Sequence, residues 1–159
     1  MEYIAHIDET EKKRIQTVKE HLEGTAKLSG KFAEKFGKQE WGYCCGMLHD
    51  IGKYSEDFLK RITGESNCRV DHSTAGARVC VKKGGKYSFL EYCIAGHHAG
   101  LPDYGNNYDE AGDSTLLGRR KKKIGDYQAY QTEIEVPAIN SMPIDLKRTV
   151  NPDFSLSVF

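Results

Sequence analysis

The stretch Gly46-Met47-Leu48-His49-Asp50-Ile51-Gly52-Lys53 constrains the chain more than any other. It sets an imidazole beside a carboxylate at the end of an apolar run, where a helix would otherwise be adding to a core. Both groups are ligands for divalent metals. Four further histidines, His21, His72, His97 and His98, lie on either side in sequence. The working hypothesis is that these six residues converge on one metal-bearing hydrolytic site, which requires a fold that gathers the ends of several segments.

The local signals are helical. Thr17-Val18-Lys19-Glu20 is a capping box, and Val18, Leu22, Ala26, Ala33 and Phe36 supply an apolar stripe, closed by Gly37. His21 lies beside that stripe. A second helix is expected from Gln39 through His49, with Gly52 ending it. Ser55-Glu56-Asp57 opens a third, stopped by Gly64. Asp71-His72-Ser73 opens a fourth, ended by Gly84-Gly85. Ser88 with Glu91 reads as another capping box, with a fifth helix from Phe89 to His98 and Pro102 beyond it. Residues 3–5 carry a weak extended signal. These spacings predict an all-α bundle of about five core helices, with its core over 17–98.

From Ala99 the character changes. Residues 99–113 are rich in Gly, Asn, Asp and Tyr and suit a long loop at a site mouth. Ser114 to Lys123 is expected to form a short helix ending in Arg119-Arg120-Lys121-Lys122-Lys123. Beyond it, Pro137, Pro143 and Pro152 punctuate an irregular C-terminal region, and residues 154–159 read as the opening turns of an apolar helix.

Composition limits the function classes. Lys and Arg balance Asp and Glu at 23 each, so any nucleic-acid surface must be a local patch rather than a global charge. No apolar run reaches the ~18 residues of a membrane span, and the N-terminus carries neither a basic nor an apolar leader region. The five cysteines include no C-x-x-C pair. Cys44, Cys45, Cys80 and Cys93 fall in apolar helical contexts and read as reduced core residues of a cytoplasmic protein.

In a helical bundle, metal sites are built from inward side chains on facing helices. Imidazole binds several divalent metals, and a carboxylate adds charge and can bridge two ions. Neighbouring residues on a helix diverge by about 100°, so His49-Asp50 and His97-His98 need irregular helix ends, and glycines flank both pairs. His6 stands apart and reads as surface. For Lys53 two readings stand: contact with a substrate phosphate or the carboxylate, or a solvated lysine. Ser73 and Thr74 either meet a phosphate or cap a helix. The 119–123 basic run is either a solvated face or a guide for a nucleic-acid backbone, with Tyr104, Tyr108, Tyr127 and Tyr130 stacking on bases.

Four pieces carry a family resemblance: His21-Leu22-Glu23-Gly24-Thr25-Ala26, Leu48-His49-Asp50-Ile51-Gly52-Lys53, Asp71-His72-Ser73-Thr74-Ala75-Gly76-Ala77 and Gly96-His97-His98-Ala99-Gly100-Leu101-Pro102-Asp103. From about Tyr3 to Asp103 the chain resembles the HD phosphohydrolase superfamily. Within it, the His-Ser and His-His-x-Gly-Leu-Pro-Asp motifs resemble the HD nuclease domain of the type I CRISPR-associated nuclease-helicase. The resemblance implies an HD-domain helical bundle and a cytoplasmic, prokaryotic DNA nuclease of antiviral defence that cuts single-stranded DNA. It implies up to two divalent ions (Mn, Co, Ni, Fe or Mg). His21 and His49 would hold one, Asp50 would bridge, and His72, His97 and His98 would hold the other. Apart from the resemblance, the residues' own chemistry makes Asp50 and Lys53 the catalytic candidates, and Ser73, Arg119, Arg120, Lys121, Lys122 and Lys123 the candidates to meet nucleic acid. Implied partners are single-stranded DNA, the RNA-guided CRISPR surveillance complex and a superfamily-2 helicase, in cis or in trans. ATP enters only with that helicase, since this sequence has no Walker A motif.

One feature departs from the pattern. The family's last ligand is an aspartate on a C-terminal apolar helix. Asp103, Asp109, Asp113, Asp126, Asp145 and Asp153 all fall in loops, turns or capping contexts. The expectation is therefore an N-terminal fragment of a longer nuclease-helicase, short of one ligand, with the first ion weakly held. Two other readings stay open: an HD-type nucleotide phosphohydrolase, and a catalytically incomplete helical interaction module.

Overall fold

A computed structural model describes residues 2–8, 10 and 14–144. The apolar stretch 154–159, together with Pro152, Asp145 and Asp153, lies outside the described residues. Those described form six α-helices and one two-stranded sheet.

β1 (Ile4–Ile7) pairs antiparallel with β2 (Ile15–Thr17). The extended signal at 3–5 thus belongs to a hairpin whose second strand has no sequence counterpart, because Ile15-Gln16-Thr17 is too short to alternate. α1 (Val18–Glu34) starts at the predicted box. The Glu20 amide donates to Thr17 Oγ1 at 3.2 Å, and the Thr17 amide donates to Glu20 Oε2 at 3.0 Å. α1 ends before Phe36, which is 67% exposed rather than part of the stripe. α2 (Gln39–Leu48) packs along α1. Gly46 permits this: a Cβ there would stand 2.7 Å from the Ala26 Cα.

α2 passes through His49 and Asp50 into a 3-10 turn, Ile51–Tyr54. α3 (Glu56–Ile62) follows, N-capped by Ser55, whose Oγ accepts from the Phe58 amide at 3.3 Å. α4 (Ser73–Lys83) packs on α5 (Ser88–Gly96). The expected Ser88–Glu91 box does not form. A 3-10 turn, Gly85–Tyr87, runs directly into α5, so Ser88 is already helical, and Glu91 turns into the core. α6 (Leu116–Lys121) is capped by Thr115, whose Oγ1 accepts from the Gly118 amide at 3.0 Å.

The core joins Val18, Leu22 and Ala26 of α1 to Trp41, Cys44 and Leu48 of α2, and to Val79, Cys80, Leu90 and Ile94 of α4 and α5. It also draws in Leu116, Tyr130, Ile134 and Ile139, so the irregular stretch after α6 is a strap across the bundle. Trp41 Nε1 donates to Ser141 Oγ at 3.0 Å, and the Tyr87 hydroxyl donates to the Pro137 carbonyl at 2.9 Å. Cys44 and Cys80 are buried thiols, as expected, and Cys45 is partly buried. Cys93 is exposed instead. On α5 the inward arc is Leu90, Glu91, Ile94 and Ala95, and at 100° per residue Cys93 falls opposite it. No helix among the described residues is long and apolar enough to cross a membrane.

Candidate metal centre

The helix ends gather as the sequence required. His21 comes from the first turns of α1, His49 and Asp50 from the end of α2, His72 from the residue preceding α4, and His97 and His98 from the end of α5. Two sets of donor atoms result, each lying within 4.8 Å of one another: His21, His49 and Asp50; and Asp50, His72, His97 and His98. Asp50 belongs to both.

The carboxylate divides itself between the sets. Oδ2 lies 3.0 Å from His21 Nε2 and 3.2 Å from His49 Nε2. Oδ1 lies 3.1 Å from His97 Nε2 and 3.4 Å from His72 Nε2. His72 and His98 meet at 2.6 Å between their Nε2 atoms.

Adjacent ligands can converge because each helix stops between them. Asp50 leaves helical geometry at φ −116°, ψ 25°, and this turns its carboxylate back over His49. His97 closes α5, and the Ala99 and Gly100 amides both donate to the Gly96 carbonyl. Gly52 serves a different purpose from a helix stop. Its amide donates to the His72 carbonyl at 3.2 Å, and a Cβ would stand 2.3 Å from that oxygen. The glycine lets the backbone bearing His72 reach the backbone bearing Asp50.

The ring tautomers are set from behind. His49 Nδ1 donates to the Gly46 carbonyl at 2.8 Å, His97 Nδ1 to the Ile94 carbonyl at 2.7 Å, and His72 Nδ1 to the Val70 carbonyl at 3.3 Å. A carbonyl only accepts, so these nitrogens carry protons and the neutral rings present Nε2 lone pairs to the centre. Those lone pairs face carboxylate oxygens or one another at contact distance. Only shared protons or cations make that arrangement favourable. Filling it with protons alone would crowd several imidazolium charges and Lys53 around one carboxylate. The donor set therefore fits divalent cations.

With no cation between them, an imidazole of His21, His49 or His97 can hydrogen-bond to Asp50 only when its Nε2 carries a proton; burial pushes the Asp50 carboxyl upward, but those bonds outweigh it and hold the acid well below the usual carboxylate range. Burial, reinforced by His98 and Lys53, pushes His72 down, and burial and His97 do the same to His98. His97 goes the other way: burial lowers it, but the bonds to Asp50 and the Ile94 carbonyl raise it more.

Lys53 is not solvated. It is buried, with Nζ 3.0 Å from Asp50 Oδ2, 3.2 Å from His6 Nε2 and 5.4 Å from the centre of the Phe58 ring. His6, which reads as surface in the sequence, therefore stands at the edge of the site, with its ring 4.8 Å from that of His21. Burial and Lys53 push its imidazole down. The signal that finds it is the pairing of β1 with β2, which the sequence does not display.

The basic run is split by the structure. Arg119 and Lys122 line a cleft of about 640 Å³ together with Ser73, His72 and His98. Arg120 turns away to form two bonds to the buried Glu91, at 2.5 and 2.6 Å. Lys121 ties down the Asn107 and Asp109 carbonyls. Lys123 is exposed. Ser73 is itself buried and donates to Asp71 Oδ1 at 3.3 Å. A second cleft, of about 580 Å³ between α4 and residues 130–136, contains none of the imidazoles.

A helical bundle that converges imidazoles from four helix ends on a shared carboxylate is the scaffold of a metal-dependent hydrolase. A family model described as HD domain matches residues 18–133, from the first residue of α1 to the strap. The chain belongs to the HD domain family, and with it to metal-dependent phosphohydrolase chemistry. No curated protein matches the chain.

Proposed function

We propose that this protein is a metal-dependent nuclease that hydrolyses phosphodiester bonds of single-stranded DNA. Its setting would be type I CRISPR defence, where an RNA-guided surveillance complex recruits it and an ATP-driven superfamily-2 helicase, in cis or in trans, feeds it strand. The observation that carries the reading is the division of the Asp50 carboxylate, Oδ2 toward His21 and His49 and Oδ1 toward His72 and His97. His21 and His49 with Oδ2 would hold one ion, and His72, His97 and His98 with Oδ1 a second. Bound divalent ions supply the Lewis-acid charge that activates water and stabilises a leaving phosphodiester oxygen. The motifs around His72 and His97-His98 support a nuclease over a small-substrate enzyme of the same superfamily.

The chain's own groups do the positioning. Asp50 stays ionised through its imidazole contacts. The Gly46 and Ile94 carbonyls hold His49 and His97 with Nε2 inward. Lys53, held between Asp50, His6 and the Phe58 ring, fixes the carboxylate's rotation from the Oδ2 side. Among the described residues the His21–His49 set has no carboxylate beyond Asp50. On this reading the ion held by His72, His97 and His98 is the tighter of the two.

Titration of metal-free protein with Mn, Co, Ni, Fe or Mg, each followed by cleavage assays on single-stranded DNA and on mononucleotides, tests the reading. Strand cleavage that requires metal, with mononucleotides untouched, is expected. Turnover of mononucleotides alone would replace it with a nucleotide phosphohydrolase. Absence of both metal uptake and cleavage would leave a helical interaction module.

A further inference from the structure

The cleft beside His72 and His98 has an unusual charge pattern. Its lining includes Arg61, from the last turn of α3, and Arg69, from the segment leading to α4. It also includes Arg119 and Lys122, from the end of α6. Among the described residues, Asp71 is the only acid lining it. Asp71 is already engaged, accepting from the Thr74 amide at 3.1 Å, the Thr74 hydroxyl at 2.9 Å and Lys122 Nζ at 3.3 Å. The cleft floor reaches His72 and His98, so the cations flank one side of the proposed ion site.

These cations retain donors. A guanidinium has five N–H groups. Arg61 spends Nη1 on the Asn67 and Cys68 carbonyls, at 3.3 and 3.1 Å, and Arg119 spends Nη1 on the Ala95 carbonyl at 2.5 Å. Those bonds hold both side chains in place and leave their remaining donors for a ligand. Arg69 is exposed and makes no hydrogen bond or ion pair among the described residues. α6 is held in register by the Arg120–Glu91 pair and by Arg78 Nη2, which donates to the Arg120 carbonyl at 2.9 Å. The cationic wall is therefore fixed from within. Like charges gathered around one concavity repel each other, and an anion bound between them offsets that repulsion. A pocket for an apolar small molecule would be lined mostly by hydrophobic groups, and this lining is mostly polar.

We infer that this cleft binds the phosphodiester backbone of the strand on the His72–His98 side of the scissile bond, with Arg61, Arg69, Arg119 and Lys122 meeting successive phosphates. The inference rests on the nuclease reading. It adds two residues outside the basic run, Arg61 and Arg69, and leaves out Arg120 and Lys121, which the fold uses. Four cations exceed what a single scissile phosphate needs, whereas consecutive phosphates of a strand would meet them in turn.

The test measures binding without turnover. The full chain in EDTA is titrated with a fluorescent short oligothymidylate, and anisotropy is followed across about 50–200 mM salt. Arg69→Ala removes no hydrogen bond or ion pair among the described residues, so it tests the ligand contact with little disturbance of the fold. It should weaken strand binding roughly five- to tenfold at the low-salt end and reduce the magnitude of the log–log salt slope by about 0.7, the value for one phosphate contact on single strands. Lys31→Ala, in the last turn of α1, serves as the control and should change neither. Wild-type affinity and slope in Arg69→Ala, or tighter binding of dATP than of the strand, overturns the cleft assignment. Metal-dependent cleavage that persists alongside such a result leaves the nuclease reading standing. Arg69-dependent strand binding without any cleavage does the reverse.

Discussion

Lys53 Nζ lies 3.0 Å from Asp50 Oδ2, and the two side chains are 5% and 4% exposed. This places a lysine amine in the same buried space as the groups that would hold metal. A buried pair of this kind contributes little net stability, because desolvation cancels most of the attraction. Its effect here is geometric: the ammonium occupies one flank of Oδ2 and leaves the other to His21 and His49.

Lys53→Met retains the apolar stem and removes the charge. Asp50 keeps its imidazole partners, so the loss in chemical-denaturation stability should be modest, about 1–3 kcal/mol. Cleavage should fall far more than metal content does. Equal losses of metal and activity would mean that Lys53 holds the ligand set together rather than serving the reaction.

The two donor sets should be separable by substitution. His21→Ala should remove one ion and His98→Ala the other, while Asp50→Asn should remove both, with elemental analysis as the readout. Asp50→Asn also leaves Lys53 buried without its carboxylate, so its thermal midpoint in EDTA should drop below that of either histidine variant. If Asp50→Asn retains one full equivalent of metal, the carboxylate does not bridge.

Chelation should destabilise the protein measurably. A ligand at a hundredfold excess over its Kd stabilises the native state by about 2.7 kcal/mol. For a domain of this size that corresponds to a fall in Tm of roughly 5–10 °C on adding EDTA. The effect should weaken on acidification, since ligands must lose protons to bind metal. His97, whose proton is held more tightly than usual by Asp50 and the Ile94 carbonyl, is the first to compete as pH falls. His72 and His98, pushed down by burial and their neighbours, compete only at lower pH. Calorimetry in buffers of different ionisation enthalpy should detect proton release on metal binding near neutral pH. Metal binding without proton release would show that His97 is already neutral.

Much of this site was legible in the sequence. The His49-Asp50 and His97-His98 pairs, the Thr17–Glu20 box and the Ser55 cap are local signals, and local signals survive folding. The signals that misled were those whose outcome depended on a distant partner. Ser88 and Glu91 have capping-box spacing, but Arg120 claims Glu91 from twenty-nine positions away. His6 has no local pattern, and only the β1–β2 pairing carries it to Lys53. In the sequence Gly52 reads as a helix stop and Gly46 as a flank of an irregular helix end, whereas the structure uses their missing side chains to bring the Ala26 and His72 backbones close. The Arg119–Lys123 run has a single composition, yet the turns around the end of α6 send its members to four different destinations.

Asp71 offers a stability test independent of metal. It receives the Thr74 amide and hydroxyl at the start of α4 and pairs with Lys122. Burial raises its carboxyl, but the Thr74 bonds and Lys122 outweigh this and hold it below its ordinary value of 3.8. A carboxyl depressed in the folded state contributes stability above its unfolded pKa and loses it as pH falls through the folded value. Asp71→Ala should therefore cost about 1–2 kcal/mol at pH 7. That cost should shrink toward zero in urea titrations carried out below the folded pKa. A penalty of the same size at both ends of the pH range would show that Asp71 acts through packing rather than charge.

The last expectation separates the two roles within the basic run. Glu91 is 1% exposed and binds Arg120 through both oxygens. Glu91→Gln breaks a buried pair and strands a partly buried guanidinium, at a cost of about 3 kcal/mol. Replacing both partners with methionine should recover most of that, because no charge is then left unpaired. The double variant also retains Arg119 and Lys122 on the cleft wall, so its salt slope for strand binding should match wild type. If the slope falls instead, Arg120 reaches the strand, and the division of the run between the fold and the ligand is drawn in the wrong place.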